Sequence, residues 1–244
     1  MSKLIYTSTL LFALLTVTFQ AKSQSSVGYL ERVNEAEVLI ADSLFSEALT
    51  KYKQAFKLNP TASANAFYNA AVSAILIGKN KEAFNFLEKL NCKGVVLEEV
   101  QEGQVFSPLV ATKEWQRFSK KYLKGTACAG LLNQSYRDTL LAMVSSDQYY
   151  HKKRAELASN KSDSVLLAAY VDSIDYITNQ NTDAFLRLVA KNGFPSEKIV
   201  GATKPDGSVF YNILLRHAVQ HPSYAEDIAV DGGERGGQHH EIQD

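Results

Sequence analysis

The chain of 244 residues is 45% apolar, enough to bury one large core or two smaller ones. Its 26 Lys and Arg balance 26 Asp and Glu, so no broad positive field exists to gather nucleic acid or anionic lipid. That composition fits neither a disordered chain nor a membrane-embedded one.

Residues 1–23 read as a cleaved secretory signal. Lys3 is a short positive start, Leu10 to Phe19 is an apolar run, and Ala21-Lys22-Ser23 offers a small-x-small cleavage pattern. The run is shorter than the ~20 residues a spanning helix needs, so no stable membrane span is expected after cleavage. The expected location is outside the cytosol, in a periplasm, cell envelope or extracellular space. Loss of Lys3 and Lys22 leaves 24 basic against 26 acidic residues. Export permits disulfides, and Cys92 and Cys128 either form one or stand as two thiols, because spacing alone does not bring their Cα atoms together.

Leu30, Val33, Ala36, Leu39 and Ile40 recur at helical spacing, and Ala41-Asp42-Ser43 interrupts the stripe. Ala48, Leu49, Tyr52, Ala55 and Phe56 make a second stripe that stops before Asn59-Pro60, where proline forbids continuation. Ala64 to Ile77 reads as a third helix closed by Gly78, and Glu82 to Leu90 as a fourth. Small residues at Ala36, Ala48, Ala55, Ala71 and Ala83 mark places where helices approach closely. Two hairpins thus repeat at a period of about 35 residues, the signature of a tandem helical array.

On these residues residues 30–91 resemble the tetratricopeptide repeat family. Phe67, Ala70, Ala71, Gly78, Ala83 and Leu87 carry the resemblance in the second unit; Ala36, Leu39, Ala48, Tyr52, Ala55 and Pro60 carry it in the first. Ala74 and Glu35 depart from the pattern. The resemblance implies a mostly α fold, with tetratricopeptide-like hairpins over 28–91 and a concave face lined by first helices. In the second unit that face includes Asn65, Tyr68, Val72 and Ile75, suited to a protein or peptide partner; the alternative is that the face packs on the second half of the chain itself. Two units need a cap, and Trp115, Phe118 and Tyr122, on one face of a short helix within 92–130, are placed to supply it.

Gly125 to Gly130 is a small-residue boundary before a second α-helical domain over 131–225. Tyr136 to Leu157 reads as a helix whose run from Asp147 to Arg154 is a solvated face. Ser164 to Val189 is helical, in two pieces broken near 179–182; Asn192-Gly193-Phe194-Pro195 stops it. Phe210 to His221 is a last helix, ended by Pro222. Residues 226–244 form an aperiodic Gly- and His-rich tail, expected to be disordered.

His217 and His221 stand four apart and can share a helix side, yet Ala218 stands where a metalloprotease helix needs Glu, and no third ligand follows from spacing. No cofactor or metal is therefore assigned. Asp147-Gln148, Asn181-Thr182, Gly193-Phe194-Pro195, Val200-Gly201 and Leu214 through Ala218 resemble a bacterial domain family of unknown function over about Leu131 to Tyr224. That family closes with a Gln-Tyr-Gly element, which this sequence replaces with its tail.

Two functions follow. The first is an exported helical-repeat scaffold that binds a partner. The second is a hydrolase-like or metal-dependent enzyme with Asp147, Gln148 and His217 as catalytic candidates, and it requires Asp147 and His217 to meet in a concave, partly buried pocket.

Overall fold

The computed structural model describes residues 26–125, 131–159 and 164–220. The signal segment, Cys128, most of the predicted linker, His221 and the Gly- and His-rich tail lie outside the described residues. Among those described, the fold is mostly α and no strand occurs. None of their helices is long and apolar enough to cross a membrane.

The helices in chain order are α1 (26–41), α2 (Phe45–Leu58), α3 (Ala64–Leu76), α4 (Asn80–Asn91), α5 (Leu97–Gln101), α6 (Lys113–Lys124), α7 (Gln134–Ser159), α8 (Ser164–Asn192), α9 (Glu197–Val200) and α10 (Asn212–Gln220). A 3-10 turn over Gln104–Leu109 lies between α5 and α6. The connector expected over 93–112 is therefore more regular than its mixed composition implied.

The chain divides into two compact units. Unit 1 is Met1–Ala129 with Ala202–Ser208, and unit 2 is Gly130–Gly201 with Val209–Asp244. The segment Ala202–Ser208, expected inside the C-terminal domain, instead packs in unit 1. The reason is local: the Ala202 amide donates to the Lys93 carbonyl at 2.7 Å, and Ala202 is 2% exposed within the unit 1 core.

The hairpins of unit 1 repeat atom for atom at their turns. The Ser43 amide donates to Ile40 O and the Leu44 amide to Leu39 O; 35 residues on, Gly78 donates to Ile75 O and Lys79 to Ala74 O. This is the Schellman closure of a helix, which needs a left-handed residue at its pivot. Gly78 supplies it at φ 74° and Ser43 at φ 60°. Ala36, Ala48, Ala55, Ala71 and Ala83 are all 0% exposed, so the helices meet where no larger side chain fits.

α6 caps the stack as its stripe implied. Trp115, Phe118 and Tyr122 are buried; Phe118 stacks on Phe84 of α4 at 5.1 Å, and Trp115 meets the same ring edge-on at 6.0 Å. At the far end of α6 the Asn91 amide donates to Tyr122 O at 2.7 Å, and the Tyr122 hydroxyl donates to Val95 O at 2.8 Å. Cys92, at the end of α4, is disulfide-bonded.

In unit 2, α7 and α8 pack along much of their length, and α9 and α10 close the core formed by Tyr136, Leu140, Met143, Phe185, Val200, Tyr211, Leu214 and Ala218. α8 runs unbroken from Ser164 to Asn192, which corrects the expected break near 179–182. The polar cluster there carries neither Gly nor Pro, and its side chains bond in place. Asn181 Nδ2 donates to Met143 O at 3.2 Å, and Gln180 Nε2 donates to the Tyr176 hydroxyl at 2.6 Å. Gly193, at φ 79°, then ends the helix by donating to Val189 O.

Candidate functional site

Asp147 lies midway along α7, on the face turned toward α10. Leu140 and Met143 precede it at intervals of seven and four residues and are buried, so helical periodicity carries Asp147 into the same interior. It is 1% exposed. The run from Asp147 to Arg154 was expected to be a solvated face, and for Asp147 that expectation fails. Its neighbours Gln148 and Tyr149 do face solvent.

A buried carboxylate must be hydrogen-bonded to be tolerated, and two groups meet it. His217 Nε2 of α10 stands 3.0 Å from Asp147 Oδ1. Gln148 Nε2 donates to Oδ2 at 2.8 Å. α10 presents His217 at this spot because Leu214 and Ala218, one turn back and one residue on, are anchored in the core at 1% and 5% exposure. The His217 side chain is 14% exposed, so one edge of the ring remains within reach of solvent.

His151 completes the arrangement. It follows Asp147 by one helical turn, and its Nε2 is 4.0 Å from Asp147 Oδ2. Its ring lies parallel to that of His217, 6° between planes and 6.4 Å between centroids. His151 Nε2 is buried without a hydrogen-bond partner. Asp147, His151 and His217 each offer one ligand atom, and these atoms all lie within 4.8 Å of one another. The three are the chemistry a divalent metal uses, and the same pair of groups, carboxylate and imidazole, serves proton transfer.

Of the catalytic candidates, Asp147 and His217 are brought into contact, and Gln148 is placed on the carboxylate oxygen that His217 leaves free. His151 went unassigned. Its signal was available, since Asp147 and His151 are four apart on one helix, but the basic residues around it read as a solvated surface.

Another buried polar residue of unit 2 that pattern reading missed is Arg137, ten residues before Asp147 on α7. It is 6% exposed, and its Nη1 donates at 2.6 Å to the carbonyl of Val200, the last residue of α9. Its guanidinium stands 5.3 Å above the Phe210 ring. Burial lowers its pKa from the usual arginine value. Nearby, the Tyr136 hydroxyl donates to Gly193 O and that of Tyr211 to Pro195 O.

In unit 1 the four partner-binding candidates are half-buried rather than open. Asn65 donates to Glu37 of α1 at 3.3 Å. Tyr68 packs edge-on against Phe106 at 5.7 Å, and Val72 and Ile75 lie against the core. A more open place is a hollow of about 600 Å³ lined by Glu31, Asn34, Glu35, Val38, Leu39 and Lys51. There Lys51 bonds Glu35 at 2.7 Å, and Val38 is 62% exposed.

Comparison of the chain with protein-family models, with curated proteins and with solved structures finds no match.

Proposed function

We propose that unit 2 is hydrolytic and that Asp147 and His217 activate a water molecule. The observation that carries this reading is the 3.0 Å contact between a carboxylate that is 1% exposed and an imidazole with an edge toward solvent. An ionised carboxylate only accepts, so His217 gives it Nε2–H, and the neutral ring then holds its lone pair at Nδ1. That nitrogen removes a proton from water as the oxygen adds to the electrophilic carbon or phosphorus. The proton then passes to the leaving group. Asp147 holds the tautomer and offsets the charge on the imidazolium.

The test is turnover by the full chain of p-nitrophenyl acetate, bis-p-nitrophenyl phosphate and casein, probes of three scissile bonds. Asp147→Asn and His217→Gln should each lower the rate on the accepted probe by about 10²–10⁴-fold. Equal rates in wild type and variants, or no turnover of any probe, would remove the reading.

Unit 1 is proposed to be the interaction half of an exported protein, its hairpins built on the tetratricopeptide plan. The disulfide at Cys92 supports export, because such bonds persist in oxidising compartments. The hollow beside Val38 supports docking of an extended peptide. Val38→Asp should abolish recovery of partners that wild-type chain retains from an envelope fraction, and N-terminal sequencing of the mature chain should begin at Gln24.

A further inference from the structure

We propose that Asp147, His151 and His217 bind a divalent transition-metal ion of the zinc class. A tetrahedral zinc with bonds of about 2.0–2.1 Å holds its ligand atoms roughly 3.3 Å apart. His217 Nε2 and Asp147 Oδ1 already stand at 3.0 Å. His151 Nε2 is 4.0 Å from the other carboxylate oxygen, so a small rotation of a ring whose side chain is 39% exposed brings the third donor in. All three donor atoms fall within 4.8 Å of one another.

Three further observations support an ion in that place. His151 Nε2 is buried with no hydrogen-bond partner, an expensive state for an imidazole nitrogen unless something else satisfies it. Gln148 Nε2 fixes the carboxylate from outside through Oδ2, the supporting bond that metal-ligating carboxylates usually have. The two histidines come from different helices, α7 and α10, with parallel rings, so the donors are spread over two rigid elements rather than one loop.

The donor set also selects among ions. Two imidazoles and one carboxylate suit zinc, cobalt and nickel, whereas magnesium and calcium favour oxygen ligands alone. Among the described residues the cluster has three protein ligands, which leaves a fourth position for water. The ion then stands where the proton shared by Asp147 and His217 would be, and a bound water becomes the nucleophile in place of one activated by Nδ1. The catalytic part of this inference rests on the hydrolytic reading; the binding itself does not.

Cobalt(II) is the probe, because four-coordinate cobalt absorbs visible light strongly and reports its own geometry. Chelator-stripped full chain titrated with cobalt should take up one equivalent with tetrahedral bands, and zinc should displace it. His151→Gln should weaken binding at least 10-fold with an unchanged circular dichroism spectrum, since His151 is half-exposed and holds no structural hydrogen bond. His217→Gln should behave likewise. The double variant His239→Ala with His240→Ala should bind as wild type.

Cobalt bound equally by His151→Gln, bound only octahedrally, or lost with the tail histidines would overturn the site. If hydrolysis survives full chelation, the catalytic part of the metal inference falls and the hydrolytic reading stands. If cobalt binds through these residues and nothing is hydrolysed, the site stands and the hydrolytic reading falls.

Discussion

Asp147 and His217 are separated by 70 residues of chain and by 3.0 Å in space. The contact joins α7 to α10 inside the second unit, and among the described residues there Asp147 is the one buried carboxylate. Removing one partner leaves the other desolvated. Asp147→Ala should therefore destabilise unit 2 by about 1–3 kcal/mol, read as a lower urea midpoint for that unit's transition with little change in the transition of unit 1.

The two helix closures at Ser43 and Gly78 are geometrically alike and chemically unlike. A left-handed pivot costs an L residue roughly 1–2 kcal/mol and glycine almost nothing. Ser43→Gly should raise stability by about 0.5 kcal/mol, the gain trimmed by the greater freedom of glycine in the unfolded chain. Gly78→Ala should lower it by about 1 kcal/mol. Thermal midpoints moving in the same direction for both variants would contradict the shared turn geometry.

Close approach of the helices makes the alanines intolerant of size. Ala71 is 0% exposed at the heart of α3, and Ala71→Leu should cost about 1–3 kcal/mol by overpacking. Leu76→Ala, at a residue 49% exposed, should change stability by far less, and guanidinium unfolding of the pair gives the comparison.

Burial of the Tyr122 hydroxyl, with the charge of Glu98 adding to it, raises its pKa above the ordinary value of 10.0. Tyr68, Tyr136 and Tyr211 are raised as well, burial leading in each. The folded state thus holds these protons after the unfolded chain has released them. Their stabilising contribution is complete below about pH 10 and is lost as pH climbs through the folded values. Denaturation midpoints should fall between pH 8 and pH 11. Tyr122→Phe should be less stable at pH 8 by about 0.5–1.5 kcal/mol, through the lost bond to Val95 O, and should show a smaller alkaline drop.

Reduction of the disulfide at Cys92 frees the end of α4 from a covalent tether. The full chain under reducing conditions should lose about 2–4 kcal/mol, seen as a lower thermal midpoint than in the oxidised chain. Cys92→Ser should reproduce the reduced value and show no further response to reductant.

Much of unit 1 was legible as pattern. Pro60 and Gly78 punctuate helices through their own backbone chemistry, and the buried alanines recur at the spacing that two stacked hairpins require. The polar cluster near Asn181 misled because composition does not reveal that Asn181 caps a carbonyl of the neighbouring helix. The half-buried state of Tyr68 was hidden in the same way. It depends on Phe106, from a 3-10 turn that looked like plain connector.

The site divides along the same line. Helical spacing alone puts Asp147 and His151 on one side of α7, since residues four apart share a face whatever surrounds them. That His217 faces them is decided by the docking of α10, through Leu214 and Ala218, onto the core of unit 2, a long-range packing outcome that no local periodicity encodes. Local backbone and side-chain preferences act within a turn or two of helix, so they write the elements and their ends. The meeting of a carboxylate and two imidazoles is set by apolar surfaces far apart in the chain burying each other.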